Sequence, residues 1–456
     1  MIRKFLLMLA VLVASLALDA QTCPPPYGVY YVGSWVGTLN AGVELRVVFN
    51  IEMLQGKTLT YSATMDSPDQ GVKGIPCTTV EVKDSVLTID ISGQITYQGR
   101  YNEETGKIEG TFEQNGMSLP LELSKVKAEK AVNDRPQTPQ PPFPYGEEQV
   151  TFSHDGVTLA GTLTKPAEGA KHPAVVLVTG SGPQDRNETI MRHKPFLVIA
   201  DYLTRQGIAV LRYDDRGVGR SSIATGFETT LDLAQDAIAA VRYLRSRDDI
   251  DASKVGIIGH SEGGLIAMIN AAEYPKEVSF IVSLAGPALK GKDLMIAQNL
   301  MIMELQGIEP TEQMKEEFTR IFTAIDESKD ATSLRAELQA MLGSNPQYSS
   351  QIPSLTSPAY VALIKMDPTP YLKKIKCPML ALNGEWDSQV AATENLAAIK
   401  QYVKRAEVKQ YERLNHLFQT CERRAQSMSY GQITETMAPQ VLADLAEWLK
   451  QITKKR

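Results

Sequence analysis

The chain lacks an excess of positive charge. With a formal net charge of −6 it has no broad basic field to steer it toward a phosphate backbone, which excludes nucleic acid as a leading partner. No segment beyond the first twenty residues holds about 18 consecutive apolar residues, so no integral membrane span is expected there. Neither "GSGP" nor "DDRGVGRSS" ends in Gly-Lys-Ser/Thr, and the second lacks the G-x-G-x-x-G spacing, so no phosphate loop is encoded. No propeller-like repeat of about 40 residues is present. Histidine is scarce, five in 456 residues, which leaves few places for a general base active near neutral pH. Four cysteines permit disulfides without requiring any. Cys23 and Cys77 share the N-terminal part and can pair. Cys377 begins an expected strand and Cys421 follows a loop at that strand's far end, about 17 Å away. A bridge needs Cα atoms within about 7 Å, which argues against that pair.

What is present describes a globular chain long enough for two or three domains, with 43% apolar and 22% charged residues. The opening "MIRKFLLMLAVLVASLALDAQTC" carries Arg3 and Lys4, a short apolar stretch and then small and polar residues. It reads as an export signal over 1–20 with cleavage near Ala20, placing the mature protein in the periplasm or outside the cell, soluble. Lipid anchoring at Cys23 is the weaker reading, because Gln21 and Thr22 stand where a small residue is wanted.

Residues 21–132 form a β-rich domain. Alternating runs such as "ELRVVFNIEM", "VLTIDIS" and "KIEGTFE" between turn-prone stretches predict antiparallel strands with one buried face, hence a β-sandwich or a barrel-like sheet. Such a domain can bind a carbohydrate or apolar ligand, but orienting its neighbour is the plainer role. The proline-rich segment 133–147 predicts an extended, semi-rigid linker. From 148 to 456 strands and helices alternate after an opening hairpin, and runs such as "AVVLV" suit strands buried on both faces. A doubly wound, mostly parallel α/β sheet follows, interrupted by a helical insertion over 287–370. Inserted there, the helices are expected to cap the sheet's ligand-binding edge. Met295, Met301 and Met303 within them read as ordinary packing rather than an adaptable substrate wall.

The stretch "IIGHSEGG", 257–264, places Ser261 between a predicted strand and helix. A bare G-x-S-x-G arises by chance about 0.15 times in a chain this long, so its context has to decide. Gly259 and Gly263 permit a sharp strand-to-helix turn that lifts Ser261 above the sheet. A plain helix N-cap serine would need neither glycine. Serine needs a base, and of His154, His172, His193, His260 and His416 only His416 follows Ser261, in a loop past the last predicted strand. His260 reads as structural, and the other three as surface or loop residues. A carboxylate must orient the imidazole. Asp387, after the strand "CPMLALNG", is preferred to Glu385. The order Ser261, Asp387, His416 is that of the α/β-hydrolase arrangement. Backbone N–H groups of Glu262 and Ser181 are the candidate oxyanion donors. No metal or organic cofactor is required.

With these residues on the page, the chain resembles the bacterial serine esterase and serine-aminopeptidase-like branch of the α/β-hydrolase superfamily. The likeness lies in "GHSEGG", "VTGSGPQDRNE", "YDDRGVGRSS", "CPMLALNGEWDSQV" and "LNHLFQ" and covers about 148–456. Residues 21–132 resemble an accessory module fused to such hydrolases. Thr179 departs from the pattern, since many relatives carry histidine before the glycine. The resemblance implies carboxylesterase activity on a small-molecule ester more readily than peptidase activity. An exopeptidase or amidase with the same triad and an inert hydrolase-fold binding protein are the alternatives.

Overall fold

The computed structural model describes residues 31–454, apart from 41–43, 56–58, 71, 84, 92–94, 115–116, 127–134, 170, 224–228, 344–348 and 350. The expected export signal and Cys23, and with it the Cys23–Cys77 pairing, lie outside the described residues. Two compact units divide the chain between Asp134 and Arg135.

The N-terminal unit is one antiparallel sheet. Its strands are β1 (Gly33–Asn40), β2 (Glu44–Gln55), β3 (Leu59–Ser67), β4 (Val72–Pro76), β5 (Thr79–Lys83), β6 (Val86–Asp90), β7 (Ile95–Asn102), β8 (Lys107–Gln114) and β9 (Met117–Lys125). They line up as β4-β3-β2-β1-β9-β8-β7-β6-β5. This order decides between sandwich and barrel. β4 and β5 occupy opposite edges, yet only Cys77 and Thr78 separate them in sequence. Cys77 N–H donates to Ala63 O on β3 (3.0 Å), and the next N–H, of Thr78, donates to Asp90 O on β6 (2.7 Å). The two edges must therefore meet, and the sheet curls into a barrel-like shape. Period-two alternation turns Trp35, Phe49, Leu87, Ile89, Tyr97 and Leu123 inward, where they fill the interior.

The second unit opens with the expected hairpin, β10 (Gly146–His154) and β11 (Val157–Lys165). It continues through β12 (His172–Val178), α1 (Pro195–Arg205), β13 (Ala209–Tyr213), α2 (Thr230–Arg245), β14 (Ile250–His260), α3 (Glu262–Glu273) and β15 (Ile281–Leu284). The order is β10-β11-β13-β12-β14-β15 and then two later strands, β16 (Met379–Gly384) and β17 (Ala406–Tyr411), with every pair from β13 onward parallel. On β12, Val176 and Val178 face one apolar core while Val175 and Leu177 face the other, which is why this run shows no polar alternation. Leaving β12, the chain steps first to β13 on one side and then to β14 on the other. The crevice at the carboxyl ends of β12 and β14 is thus the sheet's topological switch point, where open α/β sheets bind ligands.

Among the described residues, six helices separate β15 from β16: α4 (Gly291–Leu305), α5 (Glu312–Glu327), α6 (Ala331–Leu342), α7 (Ile352–Leu355), α8 (Pro358–Lys365) and α9 (Thr369–Leu372), while α10 (Ala392–Tyr402) and α11 (Pro439–Lys454) follow β16 and β17. The insertion has its own core around Phe318, Phe322, Ile325, Leu338 and Ile364, which Met295 and Met303 join as packing residues. From Arg135 onward the 133–147 segment is fastened to this unit. Arg135 donates to Met191 O (3.0 Å) and Gly431 O (2.9 Å), and Gln137 bonds the backbone of Thr436 and Met437. Its prolines cannot donate to a sheet, so side chains make the attachment.

Phe322 is completely buried at the centre of the insertion's core. Phe322→Ala is expected to destabilise this region by about 3–5 kcal/mol. Amide exchange should accelerate in α5 and α6 well before it does in β12 and β14.

Candidate active site

Ser261 sits between β14 and α3 with φ 52° and ψ −120°, a conformation that costs a non-glycine residue about 1–3 kcal/mol. Backbone bonds hold it there: Ser261 N–H donates to Leu284 O (2.8 Å), and Gly264 N–H donates to Ser261 O (2.9 Å). The two glycines singled out in the sequence make the turn possible by close approach. A Cβ on Gly259 would stand 1.9 Å from Gly263 O, and one on Gly263 would stand 2.1 Å from Val178 O. The hydroxyl makes no capping bond to α3, so Ser261 is not an ordinary helix cap.

His416 follows β17, and Asp387 follows β16. The His416 Nδ1 lies 2.8 Å from Asp387 Oδ2, and both side chains are buried. The other oxygen, Oδ1, accepts from Gln389 N–H (2.8 Å) and Val390 N–H (2.9 Å), which fixes the carboxylate's orientation. A carboxylate at Nδ1 keeps the proton on that nitrogen and leaves Nε2 as an acceptor. Glu385 does not compete for the imidazole: it is exposed and accepts from Arg413 N–H (3.1 Å). The ring of His260, next to Ser261, lies against that of His416 with centroids 4.8 Å apart. Among the described residues, neither Ser261 Oγ nor His416 Nε2 has a protein hydrogen-bond partner. The structure thus joins Asp387 to His416 and brings Ser261's neighbour against them, without a bond between Ser261 and His416.

The turn after β12 closes the crevice. A Cβ on Gly180 would be 3.2 Å from Ser261 Cβ, so the turn abuts the serine. Both aspartates of "YDDRG", after β13, hold it in place. Asp215 accepts from Thr179 Oγ1 (3.0 Å) and Gln184 N–H (2.9 Å). Asp214 accepts from Arg186 N–H, Nε and Nη2 (2.9, 2.9 and 2.5 Å) and from Arg220 N–H (3.1 Å). Thr179, the departure from the family pattern, therefore serves as an anchor. Gly180 N–H is taken up by Glu188 Oε1 (2.8 Å), whereas Ser181 N–H has no protein acceptor among the described residues. Glu262 is the first residue of α3, so its N–H has no acceptor within the helix. Its carboxylate is occupied elsewhere, accepting from Thr230 Oγ1 (2.6 Å). The insertion reaches this edge through α4, where Gln298 Nε2 donates to Gln389 O in the Asp387 loop (3.3 Å).

His193 lies in the loop between β12 and α1, one of the two places expected for it, and is completely buried there, with Nδ1 2.9 Å from Thr436 Oγ1 and Nε2 3.0 Å from Tyr430 O. One expectation is corrected. His172 is buried at the start of β12 rather than in a surface or loop position, because that strand runs through the middle of the sheet. The sequence reading missed Glu188 and the anchoring role of Asp214 and Asp215. For Asp214 and Asp215 the only local signal is an acidic pair directly after a strand. Among the described residues, no group of three or more His, Cys, Asp or Glu is placed to hold a metal ion, and no helix is long and apolar enough to cross a membrane.

Burial pushes the Asp214 carboxyl up, but the bonds from Arg186 and Arg220 outweigh it and hold the group below the usual carboxylate range. A carboxyl depressed in the folded state contributes stability above its unfolded pKa, and that contribution is lost as pH falls through the folded value. Asp214→Asn should cost about 3–5 kcal/mol at pH 7, because it leaves the Arg186 charge unpaired. Urea unfolding at pH 7 and pH 3 should show the gap to the parent protein shrinking on acidification.

A family model described as serine aminopeptidase, S33, matches residues 187–421. Esterase EstD of Thermotoga maritima is 29% identical over 316 residues, 68% of this chain and 68% of that protein. Among solved structures, Est1E from Butyrivibrio proteoclasticus aligns with a TM-score of 0.41 at 16% identity, covering 67% of this chain and 99% of that one. The Pyrococcus furiosus esterase Pf2001 aligns at 0.42 and 16% identity, covering 67% and 93%. The family match takes in just over half of the chain and runs from the turn after β12 to the loop after β17, so this protein belongs to the serine aminopeptidase S33 family of α/β hydrolases.

Proposed function

We propose that this hydrolase cleaves carboxylic esters through an acyl-enzyme on Ser261, with His416 as the proton shuttle and Asp387 as its orienting carboxylate. The observation that carries the reading is the buried Asp387–His416 pair, whose imidazole packs against the ring of His260, the residue before the strained Ser261. In the first half-reaction Ser261 Oγ attacks the ester carbonyl while His416 Nε2 takes its proton. Ser181 N–H and Glu262 N–H bind the resulting oxyanion, each donor being worth about 3 kcal/mol. The intermediate collapses, the C–O bond to the alcohol breaks, and His416 returns the proton to the departing oxygen. Water then attacks the acyl-enzyme by the same route, releasing the acid and regenerating Ser261.

All the groups this chemistry needs belong to the chain, so the reading calls for no cofactor. The substrate is a small-molecule ester, and α4, bonded to the Asp387 loop, supports a role for the insertion in choosing the acyl group. The composition of residues 1–20 supports export to the periplasm or beyond, with cleavage near Ala20. One observation favours a second reading: the matching family model is described as an aminopeptidase. Under that reading the same residues would cleave aminoacyl amides.

Hydrolysis of p-nitrophenyl esters from acetate to laurate, run beside a panel of aminoacyl amides, separates the two, and faster turnover of amides would reverse the order. Ser261→Ala is expected to lower ester turnover by at least ~10³-fold and Asp387→Asn by about 10⁴-fold in kcat, with the fold intact. A serine-directed fluorophosphonate should label the parent protein and not Ser261→Ala. Failure to label the parent protein would indicate an inert binding protein.

A further inference from the structure

Beneath the candidate nucleophile lies a second carboxylate–imidazole pair that the proposed reaction does not use. Glu188 and His260 are both buried. Glu188 Oε1 lies 2.8 Å from Gly180 N and 2.9 Å from His260 Nδ1, and His260 Nε2 lies 3.0 Å from His416 O. Three functional segments meet through these two side chains: the turn that offers Ser181 N–H, the strand end that precedes Ser261, and the loop that carries His416.

The partners also dictate how many protons the ring holds. Nδ1 faces a carboxylate oxygen and Nε2 faces a backbone carbonyl, and neither of these oxygens can donate when Glu188 is ionised. Both bonds form together only if both ring nitrogens carry hydrogen. We propose, resting on the serine-esterase reading above, that Glu188 and a doubly protonated His260 form a buried ion-paired clamp that fixes the oxyanion turn to the His416 loop. Both act as positioning residues for the reaction.

The surroundings favour this arrangement. Burial disfavours the imidazolium, but the Glu188 charge and hydrogen bond, the His416 carbonyl and the Asp387 charge outweigh it, so the His260 pKa is raised. Glu188, Asp387 and His416 are the titratable groups that bear on the ring. The rest of the lining is apolar, including Phe196, Ile199, Leu284 and Met437, around a gap of about 10 Å³. A gap that small is at the lower limit for a single water, so the charges depend on each other rather than on solvent. The clamp bears on catalysis because it spends Gly180 N–H on Glu188, fixing the turn just before the Ser181 donor, and holds the backbone of His416 itself. Displacing such groups by about 1 Å can cost about 10²-fold in rate.

Two measurements test the clamp on the full chain. With ¹⁵N-labelled histidine, only five ring systems contribute to the spectrum. One ring should remain protonated on both nitrogens at pH 8. It should vanish in His260→Gln and become singly protonated in Glu188→Gln, which serves as the assignment if the first variant does not fold. A parent protein in which the His260 ring is neutral at pH 8 overturns the proposal. For activity, Glu188→Ala should lower kcat on p-nitrophenyl acetate roughly 10–100-fold with KM within about twofold. Glu188→Asp should recover part of the loss. A folded Glu188→Ala with parental kcat also overturns the clamp, and if that variant does not fold, the ring spectra decide alone. The esterase reading fails separately, if the parent protein shows no Ser261-dependent hydrolysis, and the ring spectra are unaffected by that result.

Discussion

The close crossing of three backbone segments under Ser261 is the constraint on which the rest of the site depends. The end of β12, the end of β14 and the start of α3 approach so nearly that positions 259 and 263 have no room for a Cβ. This crossing forces Ser261 into positive φ, at a cost of about 1–3 kcal/mol that the surrounding sheet must sustain. It also sets where everything else can be. The turn leaving β12 has to run beside the serine, where a Cβ on Gly180 would stand 3.2 Å from Ser261 Cβ.

A shared device then holds the loops around that point. Glu188, Asp214, Asp215 and Asp387 are all buried, and each accepts at least one backbone N–H from a loop at the sheet's carboxyl edge. A buried carboxylate is costly unless its oxygens are filled, so once satisfied it fixes its partners with little freedom to relax. The acids are supplied with different counterparts. Arg186 offers Asp214 a fork of donors, a backbone amide and a hydroxyl serve Asp215, and imidazoles serve Asp387 and Glu188. Loops without regular structure thereby gain defined geometry at the one edge where the chemistry needs it.

Much of the hydrolase unit was legible because its signals are local. The apolar run of β12 reflects burial on both faces, and the glycine spacing around Ser261 reflects a steric requirement of one turn. Asp387 and His416 could be chosen because each follows a strand recognisable by its own composition, and the structure brings these two together. Glu188 was not legible. It lies eight residues past Gly180 in an irregular segment, and nothing in "DRNE" indicates that the fourth residue turns inward while Asp185 stays at the turn's own backbone. The burial of His193 within its loop was not legible for a related reason: its partners, Thr436 and Tyr430, are more than two hundred residues away.

The sequence by itself determined the periodicities, the glycine positions and the chain order of serine, aspartate and histidine, because each follows from interactions within a few residues. Only the tertiary structure decided that the N-terminal sheet curls, since this rests on two edges meeting across Cys77 and Thr78. It also decided that Arg135 and Gln137 fasten the proline-rich segment to the hydrolase unit, and that His260 bridges Glu188 to His416. Those contacts join distant parts of the chain, and a contact between distant residues imprints no period or motif on the sequence around either one.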